Sequence, residues 1–241
     1  MKALVFNVRI NSLYSIRIPF TWQSALTYPI LPPSAVIGML ANALQRYKNR
    51  RHPLEYLNDI ENSIVWAGSR LLTPCVIKSY VTSAIVKWED VLGGKFTNAL
   101  GRQYAYSQKM QIAAIFNDRS LIDDVKNAIK RTPITCGDSE SPASVEDVFP
   151  LKEVLKNSIK EVQTEYSIPF TKDTNITEGN GQVFLMHERC RRDGKNFPLV
   201  SYMVPIREDE KILKPSSLTV KTSGERVLKI EDIGYVILRG K

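Results

Sequence analysis

A chain of 241 residues, 43% hydrophobic and 24% charged, has the composition of a globular protein long enough to bury a core without disulfides. No apolar run reaches the ~18 residues that a membrane-spanning helix needs, and the N-terminal MKALVFNVRINSLYSIRIPF, polar every few positions, predicts a strand rather than a signal peptide. The net charge of +8 favours a polyanionic partner.

In chain order, residues 3 to 10 alternate and are β-prone, and 13 to 18 extend or re-enter a sheet. The proline- and hydroxyl-rich TWQSALTYPILPPS is a loop, with Ser34 placed to N-cap the helix predicted over 34 to 48. A short helical turn is expected around 53 to 60. Strands are expected at 62 to 68, 74 to 88 and 103 to 117. Ser120 caps an amphipathic helix over 120 to 131, acids in its first turn and bases in its last. Strand-like residues return at 143 to 149. The order β-α-β-β-α-β is that of a ferredoxin-like, RRM-type α+β domain over residues 1–150, whose open sheet face is a common RNA platform. Beyond 150, extended segments at 158 to 168, 182 to 189, 197 to 206, 217 to 221 and 234 to 239 predict a smaller β-rich subdomain over 151–241.

The charge is unevenly distributed. Residues 1–117 hold 13 Lys plus Arg against 5 Asp plus Glu, a net of +8, whereas residues 118–241 hold 20 of each. The first acid is Glu55, and a second acid-free stretch runs from Val91 to Asn117. Such a field attracts nucleic acid, with an anionic membrane surface as the rival. Cys75, Cys136 and Cys190 have neither zinc-ligand nor disulfide-framework spacing and are expected as free, buried or half-buried thiols in a reducing cytoplasm.

The loop and helix TYPILPPSAVIGMLANAL resemble the signature of the CRISPR-associated RAMP proteins, in particular the Cas-five subunit of type I (Cascade) effector complexes, with an archaeal type I-A style. The matches are Thr27, Tyr28, Pro29, Pro32, Pro33, Ser34, Gly38 and Ala43-Leu44. A second match, Thr135-Cys136-Gly137-Asp138-Ser139-Glu140-Ser141, resembles the family's turn into the last strand of the first domain. The pronounced C-terminal glycine-rich loop of many RAMP proteins is reduced here to Gly179-Asn180-Gly181, Gly234 and Gly240. The resemblance implies a non-catalytic subunit that grips the 5′ handle of the guide RNA, caps a filament of backbone subunits and touches a large subunit. It also implies a projecting hairpin, or thumb, in the acid-free stretch from Val91 to Asn117.

Within that stretch, Lys95, Arg102 and Lys109 offer charge for phosphates, and Phe96, Tyr104 and Tyr106 offer rings for stacking, the interleaving that single-stranded RNA binding uses. Core packing is the competing role for the two tyrosines. Thr27, Tyr28 and Ser34 lie at a helix mouth whose amides suit a phosphate, with Arg17 just upstream. Arg191 and Arg192 belong to a basic run with Arg189 and Lys195 on an expected hairpin tip. No metal constellation, phosphate-cradling loop or cofactor motif appears, and neither a membrane nor a small-molecule substrate is expected. The alternative is a metal-independent endoribonuclease built on His52 or His187, which needs two suitably placed proton-transfer groups. A generic ribonucleoprotein component is a third alternative.

Overall fold

The computed structural model describes residues 1–21, 24–84, 98–137, 141–157, 159–172, 174–190, 199–221 and 227–239, with the side chains of 82–84, 98–100 and 119 undescribed. The fold is mixed α+β, rich in strands with few helices. Its first half contributes β1 (Lys2–Ile10), β2 (Ser24–Ala25), α1 (Pro33–Lys48), α2 (Pro53–Ser63), β3 (Ile64–Leu71), β4 (Cys75–Ala84), β5 (Asn98–Ser107), β6 (Lys109–Phe116), α3 (Arg119–Arg131), β7 (Ile134–Thr135) and β8 (Pro142–Val148). Four of these strands lie side by side in the order β8-β1-β6-β3, every neighbour antiparallel.

Both faces of that sheet are buried near its centre. Leu4, Phe6 and Val8 of β1, with Ile112 and Ala114 of β6, pack under Val36, Leu40 and Leu44 of α1 and Ile122, Val125 and Ile129 of α3. Ala3, Val5, Ala113 and Ile115 face the other way, into a second core with Trp66, Tyr166, Leu228, Ile230 and Val236. Two-sided burial explains why ALVF and IAAIF are apolar without strict alternation.

The second half supplies β9 (Lys152–Asn157), β10 (Glu161–Thr164), β11 (Ile168–Pro169), β12 (Asn175–Gly179), β13 (Gln182–His187), β14 (Leu199–Val204), β15 (Ile206–Asp209), β16 (Ile212–Pro215), β17 (Leu218–Lys221), β18 (Val227–Ile230) and β19 (Gly234–Ile237). Strands β9, β18 and β19 extend the first sheet beyond β1. Strand β16 pairs with the base of β4 at Val76 and Cys75. Two three-stranded sheets, β10-β17-β12 and β11-β14-β13, complete this half.

Several local expectations are corrected. The helix expected to begin at Ser34 starts at Pro33, with Pro32 at the N-cap and no side-chain cap bond, so proline geometry rather than a hydroxyl opens it. The cap of α3 is Asp118, not Ser120. Its carboxylate accepts the Ser120 amide and hydroxyl, both at 2.9 Å, and the first turn holds no acid. The turn around 53 to 60 is a full helix, α2, capped by His52. The single strand expected over 103 to 117 is two strands. The chain changes sheet at Gln108, where Ser107 Oγ donates to Thr73 O at 3.2 Å and the Lys109 amide donates to Thr73 Oγ1 at 2.9 Å. Residues 13 to 18 make only isolated bridges, Tyr14 to Ala105 and Arg17 to Thr27.

Candidate nucleic-acid interface

Strands β4 and β5 form an antiparallel hairpin with Lys78 opposite Tyr104 and Tyr80 opposite Arg102. Directly paired residues share a face, so Lys78, Tyr80, Arg102, Tyr104 and Tyr106 lie on one side of it. The other side carries Cys75 and Ala105, both buried, and Ala105 exchanges backbone hydrogen bonds with Tyr14 at 2.8 and 2.9 Å. The tyrosine-bearing face is turned to solvent: Tyr80 and Tyr106 are 49% and 46% exposed. The Arg102 guanidinium lies 4.7 Å from the Tyr104 ring centroid, and Tyr104 meets Tyr80 edge-on at 5.8 Å. Neither β4 nor β5 contains an acidic residue. This is a pre-ordered array of π-faces and cations. Lys78 and Tyr80 were not among the sequence candidates. The signal for them was the alternation within β4, which acquires meaning only once the register with β5 is known.

The helix mouth is more inward-looking than its motif implies. Thr27 is 2% exposed; its hydroxyl accepts the Ile16 amide at 2.9 Å, donates to Tyr28 O at 3.2 Å, and its own amide donates to Gln103 Oε1 at 3.3 Å. Tyr28 is also 2% exposed, sets its ring edge against Phe184 and donates its hydroxyl to Leu185 O. Burial raises its phenol to about 12. Both residues therefore brace the loop against β5 and β13. Ser34 is half-buried in the first turn of α1, its carbonyl accepting Cys190 Sγ at 3.1 Å. Arg17 is exposed. A pocket of about 290 Å³ brings Arg17, Tyr28 and Ser34 together with His187 and Cys190.

Other candidates are placed differently. Lys109 opens β6 and pairs with Glu146 at 2.7 Å; the same carboxylate lies 3.8 Å from Arg9. Around it the helix-free face of the first sheet carries Asn7, Arg9 and Gln111 opposite Asp147, Ser144 and Arg70. Its lower part is covered by the Trp66–Tyr166 core. The open sheet face expected as a platform is thus partly covered, and its remainder is polar. Lys95, Phe96, Arg191, Arg192 and Lys195 lie outside the described residues. Arg189, expected on a solvated tip, turns inward and donates to Glu61 O at 3.1 Å and Ile64 O at 3.0 Å, satisfying carbonyls at the C-terminal end of α2.

His52 Nδ1 accepts the Leu54 amide at 3.3 Å as the cap of α2. Burial pushes the Cys75 thiol up to about 11 and Cys136 to about 12; Cys190 rises to about 12 through burial and the nearby Glu61 carboxylate. All three cysteines are free, and these shifts keep them protonated rather than nucleophilic at neutral pH. Among the described residues no group of His, Cys, Asp or Glu could hold a metal ion, and no helix is long and apolar enough to cross a membrane.

The strand-rich α+β architecture resembles that of solved CRISPR proteins. A CRISPR protein from Archaeoglobus fulgidus, known from its crystal structure, superposes with a TM-score of 0.62 over 99% of this chain and 100% of that one, at 16% identity. A chain of a type III-B Cmr-beta complex, solved bound to cognate target RNA and AMPPnP, reaches a TM-score of 0.50 at 11% identity, covering 91% of this chain and 86% of that one. At these identities the likeness is one of fold. The sequence carries the assignment further: the family model described as CRISPR-associated protein (Cas_Cas5) matches residues 4–210, so the chain belongs to the Cas5 family. It is 26% identical over 152 residues to the CRISPR-associated protein Cas5 of Thermoproteus tenax, an alignment covering 57% of this chain and 62% of that relative. The chain thus spans less than two thirds of the length of the curated relative it matches.

Proposed function

We propose that this Cas5-family chain is a non-catalytic RNA-binding subunit of a type I (Cascade) interference complex, of archaeal type I-A style, working in the cytoplasm. In this role it grips the 5′ handle of the guide RNA, caps the filament of backbone subunits and contacts the large subunit. The observation that carries the proposal is the hairpin face of Lys78, Tyr80, Arg102, Tyr104 and Tyr106. Stacked rings hold unpaired bases splayed out, where their edges can be read, and flanking cations hold the phosphates. The excess charge of the first 117 residues steers a polyanion to the same half. We read the β8-β1-β6-β3 order as the ferredoxin-like plan, with a division near residue 150 into a RAMP domain and a β-rich part stitched to it. Arg17 and Ser34, on the rim of the α1 pocket, complete the candidate surface, with Lys109, Lys95, Arg191 and Arg192 as further phosphate contacts; Thr27 and Tyr28 act by holding the loop in place.

The endoribonuclease alternative finds less support. Acid–base cleavage needs a matched pair of groups, whereas His52 is engaged as a helix cap and Tyr28 is a buried donor with its phenol raised to about 12. The proposal is tested by pull-down of the tagged protein from its native host followed by RNA sequencing. Recovery of guide RNAs sharing one repeat-derived 5′ end, together with other effector subunits, is expected. Recovery of the abundant protein without such RNA contradicts it. Incubation of repeat RNA with the protein in EDTA leaves the RNA full-length on this account; shortening lost in His187→Ala would favour the nuclease.

A further inference from the structure

Phe20 is 87% exposed, the highest value among the large apolar side chains described. Its backbone is left-handed, with φ 61°, a region where a bulky side chain is strained. The turn around it is nonetheless well tied. The Ile18 amide donates to Leu26 O at 2.9 Å, Thr21 Oγ1 donates to Ile18 O at 3.3 Å, and Arg17 bridges Thr27 across its base. Just downstream, β2 runs beside β5 at Gly101 and Arg102, which fastens this loop to the strand bearing Arg102 and Tyr104. An aromatic ring held into water by a strained turn contributes nothing to the core and is the arrangement found where strain serves recognition.

The chemistry around the ring selects the ligand. Arg17, three residues before Phe20, is exposed, and no acidic residue precedes Glu55. An aromatic anchor for a protein partner works inside an apolar patch, whereas an exposed ring three residues from an exposed cation, with no other exposed large apolar side chain among the described residues of 14–27, matches an unpaired base and its phosphate. We propose that Phe20 stacks on an unpaired RNA base while Arg17 holds the adjoining phosphate, a second RNA contact separate from the hairpin face. This inference rests on the RNA-binding proposal above.

The test uses the full chain and a fluorescein-labelled single-stranded RNA of the repeat-derived handle, with 2-aminopurine replacing successive bases. Wild-type protein is expected to quench 2-aminopurine at the position stacked on Phe20. In Phe20→Ala that quenching disappears and affinity falls roughly 5- to 150-fold, the range of one lost stacked base. Phe20→Trp keeps both signals. Phe20→Gly loses binding without a fall in Tm, because glycine occupies the left-handed region unstrained. Wild-type affinity and quenching in Phe20→Ala overturn the inference, as does a Phe20→Ala protein that loses only protein subunits in pull-downs. A wild-type chain that fails to bind the handle overturns the RNA-binding proposal itself, so the two failures are distinguishable.

Discussion

Tyr104 illustrates how a ring can be held at the surface without being needed for folding. It is half-exposed, with Arg102 on its face and Tyr80 at its edge, while the fold is held by Ala105 and Cys75 on the opposite side of the hairpin. Tyr104→Ala is therefore expected to weaken handle RNA binding by ~1–3 kcal/mol and to leave Tm almost unchanged; a large fall in Tm with unchanged affinity would instead make the ring structural. Gly137 shows the converse. Its φ is +91°, and an added Cβ would sit 2.6 Å from Ile16 Cγ1 and 2.9 Å from Ser15 O. Gly137→Ala is expected to destabilise by about 1–3 kcal/mol, measured by denaturant midpoint. Asp118 gives a pH signature. Hydrogen bonds from Ser120 hold its carboxyl below the usual range. A depressed folded value stabilises above the unfolded carboxyl pKa and is lost as pH falls through the folded one. Asp118→Asn should thus flatten the loss of stability on the acid side, and an unchanged acid limb would refute the cap. At this scale the sequence exposed residue types but not directions. The alternation at Arg102, Tyr104 and Tyr106 was readable, whereas Thr27 and Tyr28 resembled contacts and point inward, because only the packed loop decides where a hydroxyl finds its partner.

At the scale of elements, the hairpin and the latch from the second half matter most. Arg189 ties the end of β13 to the α2–β3 junction through Glu61 O and Ile64 O, and the Cys190 amide donates to the Glu61 carboxylate beside it. Arg189→Ala leaves those carbonyls without this donor, and a loss of about 1–3 kcal/mol is expected, read as a lower thermal midpoint. Wild-type stability in that variant would show that water replaces the guanidinium at no cost. Helices α1 and α3 were legible because apolar residues recur at helical spacing and bases close their last turns. The change of sheet at Gln108 was not, since QYAYSQKMQIAAIF is β-prone throughout and the switch is made by Thr73, a residue distant in sequence. The strands β9, β12, β15, β16 and β18 were missed for a related reason. They are short; β9, β12 and β18 take partners remote in sequence, while the local hairpin of β15 and β16 is masked by the charged run Glu208 to Lys211, which reads as loop.

For the whole molecule, the uneven charge is the feature that survives from sequence to structure with least alteration. It indicated a polyanion in the first half, and the resemblance of TYPILPPS narrowed the class to CRISPR-associated proteins. The family match over residues 4–210 establishes that membership. Pairing of β9 with β1 and of β16 with β4 adds that the second half extends the first sheet and braces the β4–β5 hairpin at its base. The most direct test of the central claim is fluorescence anisotropy of the purified chain with handle RNA and with a scrambled RNA of equal length, titrated across salt. The account predicts preference for the handle, a log–log salt slope of roughly −0.7 per phosphate neutralised, and a slope shallower by about 1.4 in the Lys78→Ala/Arg102→Ala double variant. Equal affinity for both RNAs, with a slope unmoved by removing those two charges, would contradict it.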